Sequence, residues 1–333
     1  MYPDRVGRVV IDGVYDSHNY RGSLWNTNLH DSDAVLSSFF DFCHQAGPDK
    51  CPLYASSAAE VRSRFENALH SLEVEPIALS SAIEGPTVIT KKNLVSMTFA
   101  ALYSPLLKFP DVASAVLAVE SRNESALVAL RPKIAPPYEC NCGDVPLPWS
   151  SDNEAFNAIA CGDGDAVTYN AQTYKEYFTT LERSSAFAAQ LWGVHYLQCT
   201  EWNVRPKWRY TGPLDAVATN GTAHPLLVVS PTYDPVCPLS DAQKVVKRYP
   251  GAALLVQDSY GHCSPSAPSL CTAKHIRAYF EQGILPEEGT VCKADELPFV
   301  GLRDSVSALS AEDEELLSAM KSLGESLPLF GNF

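Results

Sequence analysis

The chain has 333 residues, 46% of them apolar, with 25 Lys plus Arg against 39 Asp plus Glu, for a formal charge of −14. That is enough apolar material to bury a sizeable core in one or two domains, and the acidity argues against nucleic acid or an anionic membrane surface as partner. No run approaches the eighteen apolar residues of a transmembrane helix, so no membrane partner is expected either.

Val6–Ile11 reads as a strand, with Asp12-Gly13 as its exit. From about Ser17 to Tyr210 helical periodicity dominates, over Asp31–Gln45, Ala58–Leu72, Lys92–Tyr103, Pro110–Ser121, Ala155–Ile159 and Tyr174–Leu197. Their Leu, Phe and Ala stripes are ordinary packing faces rather than a cofactor box. Pro132–Pro148, rich in Pro, Cys and Gly, reads as a loop. Leu226–Ser230 is a short apolar run suited to a buried parallel strand. Asp234 follows in a Pro-rich turn, and Leu239–Arg248 is helical. Ala252–Gln257 is a second apolar run, His262 stands in a Gly–His turn, and Ser269–Gln282 is another helix. Asp304–Leu323 makes an acidic amphipathic helix, with Leu309, Leu316, Leu317, Met320 and Leu323 on one side, that either docks on the body or frays as a tail. There is no internal repeat.

An acid after one strand and a histidine after the next is the order of the last two triad members in an α/β-hydrolase. The chemistry needs both: the imidazole takes the nucleophile's proton, and the carboxylate fixes its tautomer and stabilises the imidazolium. Taken singly, Asp234 is a turn aspartate and His262 a loop histidine.

The surrounding residues sharpen this. Asp234-Pro235-Val236 with Pro238-Leu239, Pro250-Gly251-Ala252, Gly261-His262-Cys263-Ser264, Ser269, Cys271-Thr272-Ala273-Lys274, Ala278-Tyr279-Phe280, Gly283, Leu285-Pro286 and Gly289-Thr290 with Cys292 form a long ordered run. It resembles the C-terminal part of the secreted tripeptidyl-aminopeptidase-like hydrolases, in the prolyl-iminopeptidase branch of the α/β-hydrolases. Tyr2-Pro3-Asp4-Arg5-Val6-Gly7-Arg8-Val9-Val10-Ile11-Asp12-Gly13-Val14 resembles the run that follows the nucleophile elbow in the same family. The resemblance implies the C-terminal part of an α/β-hydrolase fold, three parallel strands with flanking helices plus a large helical cap, N-terminally truncated. Residues 1–16 would hold one core strand, 17–215 the cap, 216–295 the core with the Asp and His loops, and 296–333 an acidic helical tail. It further implies hydrolysis of peptide bonds near a free N-terminus in the complete protein, a secreted location, no cofactor and no metal. A serine would attack, His262 would act as base and acid, and Asp234 would orient it. Glu201 and Trp202 follow Cys199 as in relatives and read as structural.

The family's Gly-x-Ser-x-Gly elbow and His-Gly-Gly-Pro-Gly-like oxyanion loop are absent from the sequence. Ser230, Ser259, Ser264 and Ser266 are nearby hydroxyls, but none sits on a strand-to-helix elbow, and Cys237 and Cys263 are no stronger as nucleophiles. Without its neighbour, strand Val6–Ile11 would leave an open parallel edge, implying marginal stability alone or a partner chain that completes the sheet. The alternatives to an exopeptidase are an inactive binding or scaffold remnant and a hydrolase recruited to small-molecule biosynthesis; a substrate would be a peptide or a small molecule.

Ten cysteines favour an exported, disulfide-bonded chain, although the N-terminus shows no signal peptide. Asn123-Glu124-Ser125 and Asn220-Gly221-Thr222 are glycosylation sequons that add little at this length. Cys43 with Cys51 sits in a context seen in relatives. Cys161 with Cys199 and Cys271 with Cys292 bracket helical segments, and Cys237 with Cys263 could bridge if their loops meet. Cys140 and Cys142 are too close to bond without strain. A zinc site is the rival use of these cysteines, but their spacings fit no common finger pattern.

Overall fold

The structure is a computed structural model that describes residues 2–81, 85–135, 152–214, 221–303 and 309–326. In chain order its elements are β1 (Val10–Asp12), α1 (Ser17–Arg21), α2 (Ser32–Ala46), α3 (Ala58–Val74), a hairpin of β2 (Ile77–Ser81) and β3 (Gly85–Ile89), α4 (Lys91–Tyr103), α5 (Pro105–Glu120), α6 (Glu124–Ile134), α7 (Asp152–Asp163), α8 (Ala171–Ser184) and α9 (Ala189–Leu197). Then come β4 (Leu227–Tyr233), α10 (Leu239–Arg248), β5 (Ala253–Tyr260), α11 (Leu270–Gln282), β6 (Val291–Lys293), a small hairpin of β7 (Glu296–Leu297) and β8 (Gly301–Leu302), and α12 (Ala311–Ser326).

The sheet runs β1-β4-β5-β6, all parallel, with Val10 opposite Leu227, Leu227 opposite Ala253 and Val256 opposite Val291. The α/β class therefore holds, with four strands instead of the three expected from the sequence. The fourth, β6, is three residues long and buries only Cys292 between two exposed neighbours. So short an edge strand leaves no apolar run to read, and it is fastened by the Cys271–Cys292 disulfide to α11.

β4 is buried on both sides, as a central parallel strand must be. Its period-2 alternation divides the contacts: Leu227 and Val229 pack with Leu255 and Tyr279 on the α11 side, and Val228 packs with Ala242 and Val245 on the α10 side. α11 starts on Ser269, whose side chain accepts from the Thr272 N–H, and stops at Gly283 in the left-handed conformation. Tyr279 ties this helix to the N-terminal segment: its hydroxyl donates to Pro225 O and accepts from Val9 N–H.

The helices between β1 and β4 enclose the largest core, built on Phe39, Phe40, Phe65, Phe99 and Phe109. The segment expected as one helix over Tyr174–Leu197 is two. The backbone turns extended at Ser185, and the Ser185 hydroxyl accepts from Ala188 N–H, opening α9 afresh. The β2–β3 hairpin and α6 were not anticipated. α6 runs through Pro132 to Ile134, shortening the expected loop, whose remainder after Ala135 lies outside the described residues. The expected strand Val6–Ile11 is regular only at Val10–Asp12, where it meets β4. α12 docks: Leu317 is buried against Leu270, with Leu309 and Leu316 beside them, and Lys274–Asp313 and Arg277–Glu312 pair across to α11.

Disulfides join Cys43–Cys51, Cys161–Cys199 and Cys271–Cys292. Cys237 and Cys263 are free thiols rather than the bridge considered above. Cys140 and Cys142 lie outside the described residues.

Candidate functional site

Three parallel strands deliver side chains to one place at their C-terminal ends, where open α/β sheets bind ligands. β1 ends at Asp12, Asp234 follows β4, and His262 follows β5. A register shift in the β4–β5 pairing between Pro231 and Tyr233 lets the chain leave the ladder just before the acid. Gly261 N–H then donates to Tyr233 O, holding the two turns side by side.

Asp234 is fully buried. Its Oδ1 accepts from Val236 N–H at 3.0 Å and Cys237 N–H at 2.8 Å, and its Oδ2 from Cys263 N–H at 2.9 Å. His262 Nδ1 stands 3.1 Å and 3.0 Å from the two oxygens. A carboxylate so placed favours the tautomer with the proton on Nδ1. Burial opposes charge on His262, but the adjacent Asp234 carboxylate and its hydrogen bond outweigh it, and the imidazole pKa lies well above its ordinary value. The pair expected from the sequence is thus brought into contact, each residue after its own strand.

The His262 loop is held from several sides. His262 N–H donates to Tyr103 O at 2.9 Å, and the Tyr103 ring meets the imidazole edge to face. Gly261 has φ +121°, and a Cβ there would lie 2.6 Å from Ser266 Oγ and 2.7 Å from Pro105 Cδ, so only glycine fits. Cys263 is held at φ +62°, an uncommon conformation for a side-chain-bearing residue. Its thiol sits over Gly13, where a Cβ would come within 2.3 Å of the sulfur, and donates to Asp12 O at 3.6 Å.

Asp12 was read from sequence only as a strand exit. Its carboxylate accepts from Ser264 N–H at 3.0 Å and from Ser264 Oγ–H at 2.6 Å, which binds β1 to the His262 loop. Burial pushes its pKa up to about 6, against the pull of those bonds. The signal in the sequence was an Asp-Gly step directly after a strand; it needed the β1–β4–β5 order to acquire meaning.

The four hydroxyls considered as nucleophiles are all engaged elsewhere. Ser230 donates to Pro231 O, Ser259 to Gln257 O, Ser264 to Asp12, and Ser266 to Cys263 O. The Cys237 and Cys263 thiols also interact with the imidazole, and burial raises both thiol pKa values, Cys237 to about 12. Protonated, desolvated thiols are poor nucleophiles. A cleft of about 600 Å³ opens behind the loop, lined by Phe42, Leu106, Tyr260, Ser266, Glu296 and Arg303, and does not reach Asp234 or His262.

Comparison with known families places residues 185–292 in a match to the family described as TAP-like protein. The matched segment runs from the turn before α9 to β6 and contains both Asp234 and His262. No curated protein matches the chain.

Proposed function

We propose, from the match of residues 185–292 to the TAP-like family, that Asp234 and His262 are the acid and base of a serine exopeptidase that cleaves peptide bonds near a free N-terminus. The observation that carries this reading is the buried Asp234 carboxylate bonded to His262 Nδ1, with each residue just past the end of a neighbouring parallel strand. In this reading His262 accepts the proton of an attacking serine and returns it to the leaving amine, while Asp234 stabilises the imidazolium.

In this reading the attacking serine is none of Ser230, Ser259, Ser264 and Ser266, each of which donates to another acceptor, and is supplied by a separate segment. β1 supports this. Among the described residues it pairs with β4 alone, so its other edge is free to receive the strand that carries a nucleophile elbow.

A second reading draws on the same engaged hydroxyls: the chain is a non-catalytic module that binds peptides or a partner chain through its helical layer. Labelling with a fluorophosphonate separates the two. The chain alone should not label. Mixed with an N-terminal segment of the same family bearing the elbow, it should label at that segment's serine, and His262→Ala should abolish labelling. Labelling of the chain alone would overturn the assignment of the nucleophile. A stable mixed complex that never labels would favour the binding module.

A further inference from the structure

The thiols beside the imidazole have no part in that relay. We propose that Cys237, His262 and Asp234, with Cys263 as fourth donor, form a binding site for a thiophilic divalent cation of the zinc class. One donor atom from each of Cys237, His262 and Asp234 lies within 4.8 Å of the others. Zinc bonds of roughly 2.0–2.3 Å set tetrahedral donor separations of roughly 3.5 Å, so side-chain movements of about 1 Å close the set on an ion. Cys263 lies outside that close set, its thiol bonded to Asp12 O at 3.6 Å; as the residue next to His262 it is the fourth donor after a side-chain rotation, giving two sulfurs, one nitrogen and one oxygen. A mixed sulfur and imidazole set suits zinc, while magnesium and calcium demand oxygen.

Three further observations favour a built site. Cys237 and Cys263 donate their backbone N–H groups to opposite oxygens of the same carboxylate, so both thiols are placed by Asp234. Every other described cysteine is in a disulfide, yet these two, in the loops that carry Asp234 and His262, stay free. The His262 side chain keeps 21% of its surface exposed, which leaves an ion a way in. The other sulfur-and-imidazole cluster, Cys271, His275 and Cys292, has both sulfurs locked in a disulfide and offers no such site.

Binding balances as an exchange of cation for protons. The ion takes the lone pairs of two thiolates, one neutral imidazole nitrogen and one carboxylate oxygen. Each thiol loses a proton, and an imidazolium loses one more. The ion competes with the Asp234–His262 hydrogen bond, so the metal-bound and relay states exclude each other. The site does not depend on the peptidase reading.

Cobalt(II) is the probe, added to the full chain with its disulfides intact and Cys140 and Cys142 changed to Ser. One equivalent should give a thiolate-to-cobalt charge-transfer absorption with the intense visible bands of a tetrahedral ion, and Zn²⁺ should displace it. Cys237→Ala should abolish the charge-transfer band or weaken binding at least a hundredfold; Cys263→Ala should weaken it at least tenfold. Because Cys237→Ala could disturb folding, the unaltered chain gives an independent reading. Zn²⁺ should protect the Cys237 and Cys263 peptides from alkylation, as followed by mass spectrometry. The proposal fails if excess Co²⁺ gives no charge transfer while thiol titration finds both thiols free, or if Cys237→Ala binds Co²⁺ as tightly as the parent with an unchanged band. It fails equally if the two cysteines are isolated as a mutual disulfide.

Discussion

Replacing Asp234 tests the frame on which the site is built. The carboxylate accepts from Val236, Cys237 and Cys263 N–H groups and from His262 Nδ1–H, in a fully buried position. Asp234→Ala leaves four donors without an acceptor. An abandoned buried donor costs roughly 1–3 kcal/mol. Taking the low end for each, since water enters the space vacated, gives a loss of about 4 kcal/mol, a large share of the 5–15 kcal/mol that holds a typical domain together. Asp234→Asn is the finer probe. Its amide oxygen can keep Val236 and Cys237, but its NH₂ then faces the Cys263 N–H, donor against donor. About 2 kcal/mol should be lost, roughly half the alanine effect. Urea denaturation at pH 7, with disulfides intact and a chelator present, reads the size, and native-state hydrogen exchange reads the place. The Val236, Cys237 and Cys263 amides should exchange faster in both variants. If Asp234→Ala stays within about 1 kcal/mol of the parent, or the three amides keep their protection, the carboxylate is not the keystone of these loops.

Asp12 and Asp31 give a pH dependence of unusual sign. Both have folded pKa values pushed up by burial to about 6 from 3.8. Asp12 faces Asp234, His262 and Cys263 beside its partner Ser264; Asp31 faces His30, Asp234 and Asp241. A raised carboxyl contributes stability that is present below pH 4 and lost as pH rises through 6. For Asp12 the loss is at most about 3 kcal/mol, trimmed by its residual exposure. Asp12→Asn should flatten stability between pH 4 and 6 in chelator, and an unchanged slope would refute the assignment. Gly13→Ala puts a Cβ 2.3 Å from Cys263 Sγ at φ +69°, and urea midpoints should report a loss of about 2 kcal/mol or more. Adding Cys263→Ala should return the steric part and leave about 1 kcal/mol of backbone strain; no recovery would mean that the sulfur is not the obstacle. Cys271→Ala with Cys292→Ala opens a loop of 21 residues and should cost about 3 kcal/mol, with amide protection lost first along β6; uniform loss would contradict a locally anchored edge.

The sequence revealed most where a single strand or turn carries its own signature. β4 is a continuous apolar run because both faces are covered, whereas β5 is apolar over Ala253–Val256 and alternates between partly buried and buried; the residues following them stood out against that background. The same logic hid β6, whose three residues alternate exposed, buried, exposed at the sheet's edge. It also misplaced β1, expected from Val6 to Ile11, whose hydrogen-bonded part is Val10–Asp12. Within the helical layer, one uninterrupted apolar pattern spans Tyr174–Leu197, and only the Ser185 turn reveals two helices. At the site, Asp234 and His262 were readable because each follows its own strand. Asp12, Gly13, Cys237 and Cys263 matter only through contacts made across more than two hundred residues or between adjoining loops. No periodicity or spacing encodes those contacts, so their roles emerged from packing alone.

The main-chain bond from His262 to Tyr103, at the C-terminal end of α4, couples the imidazole mechanically to the helical layer. Pro105, opening α5, presses on Gly261 from the same side. Any rocking of those helices would therefore drag the histidine with it, loosening its grip on the acid.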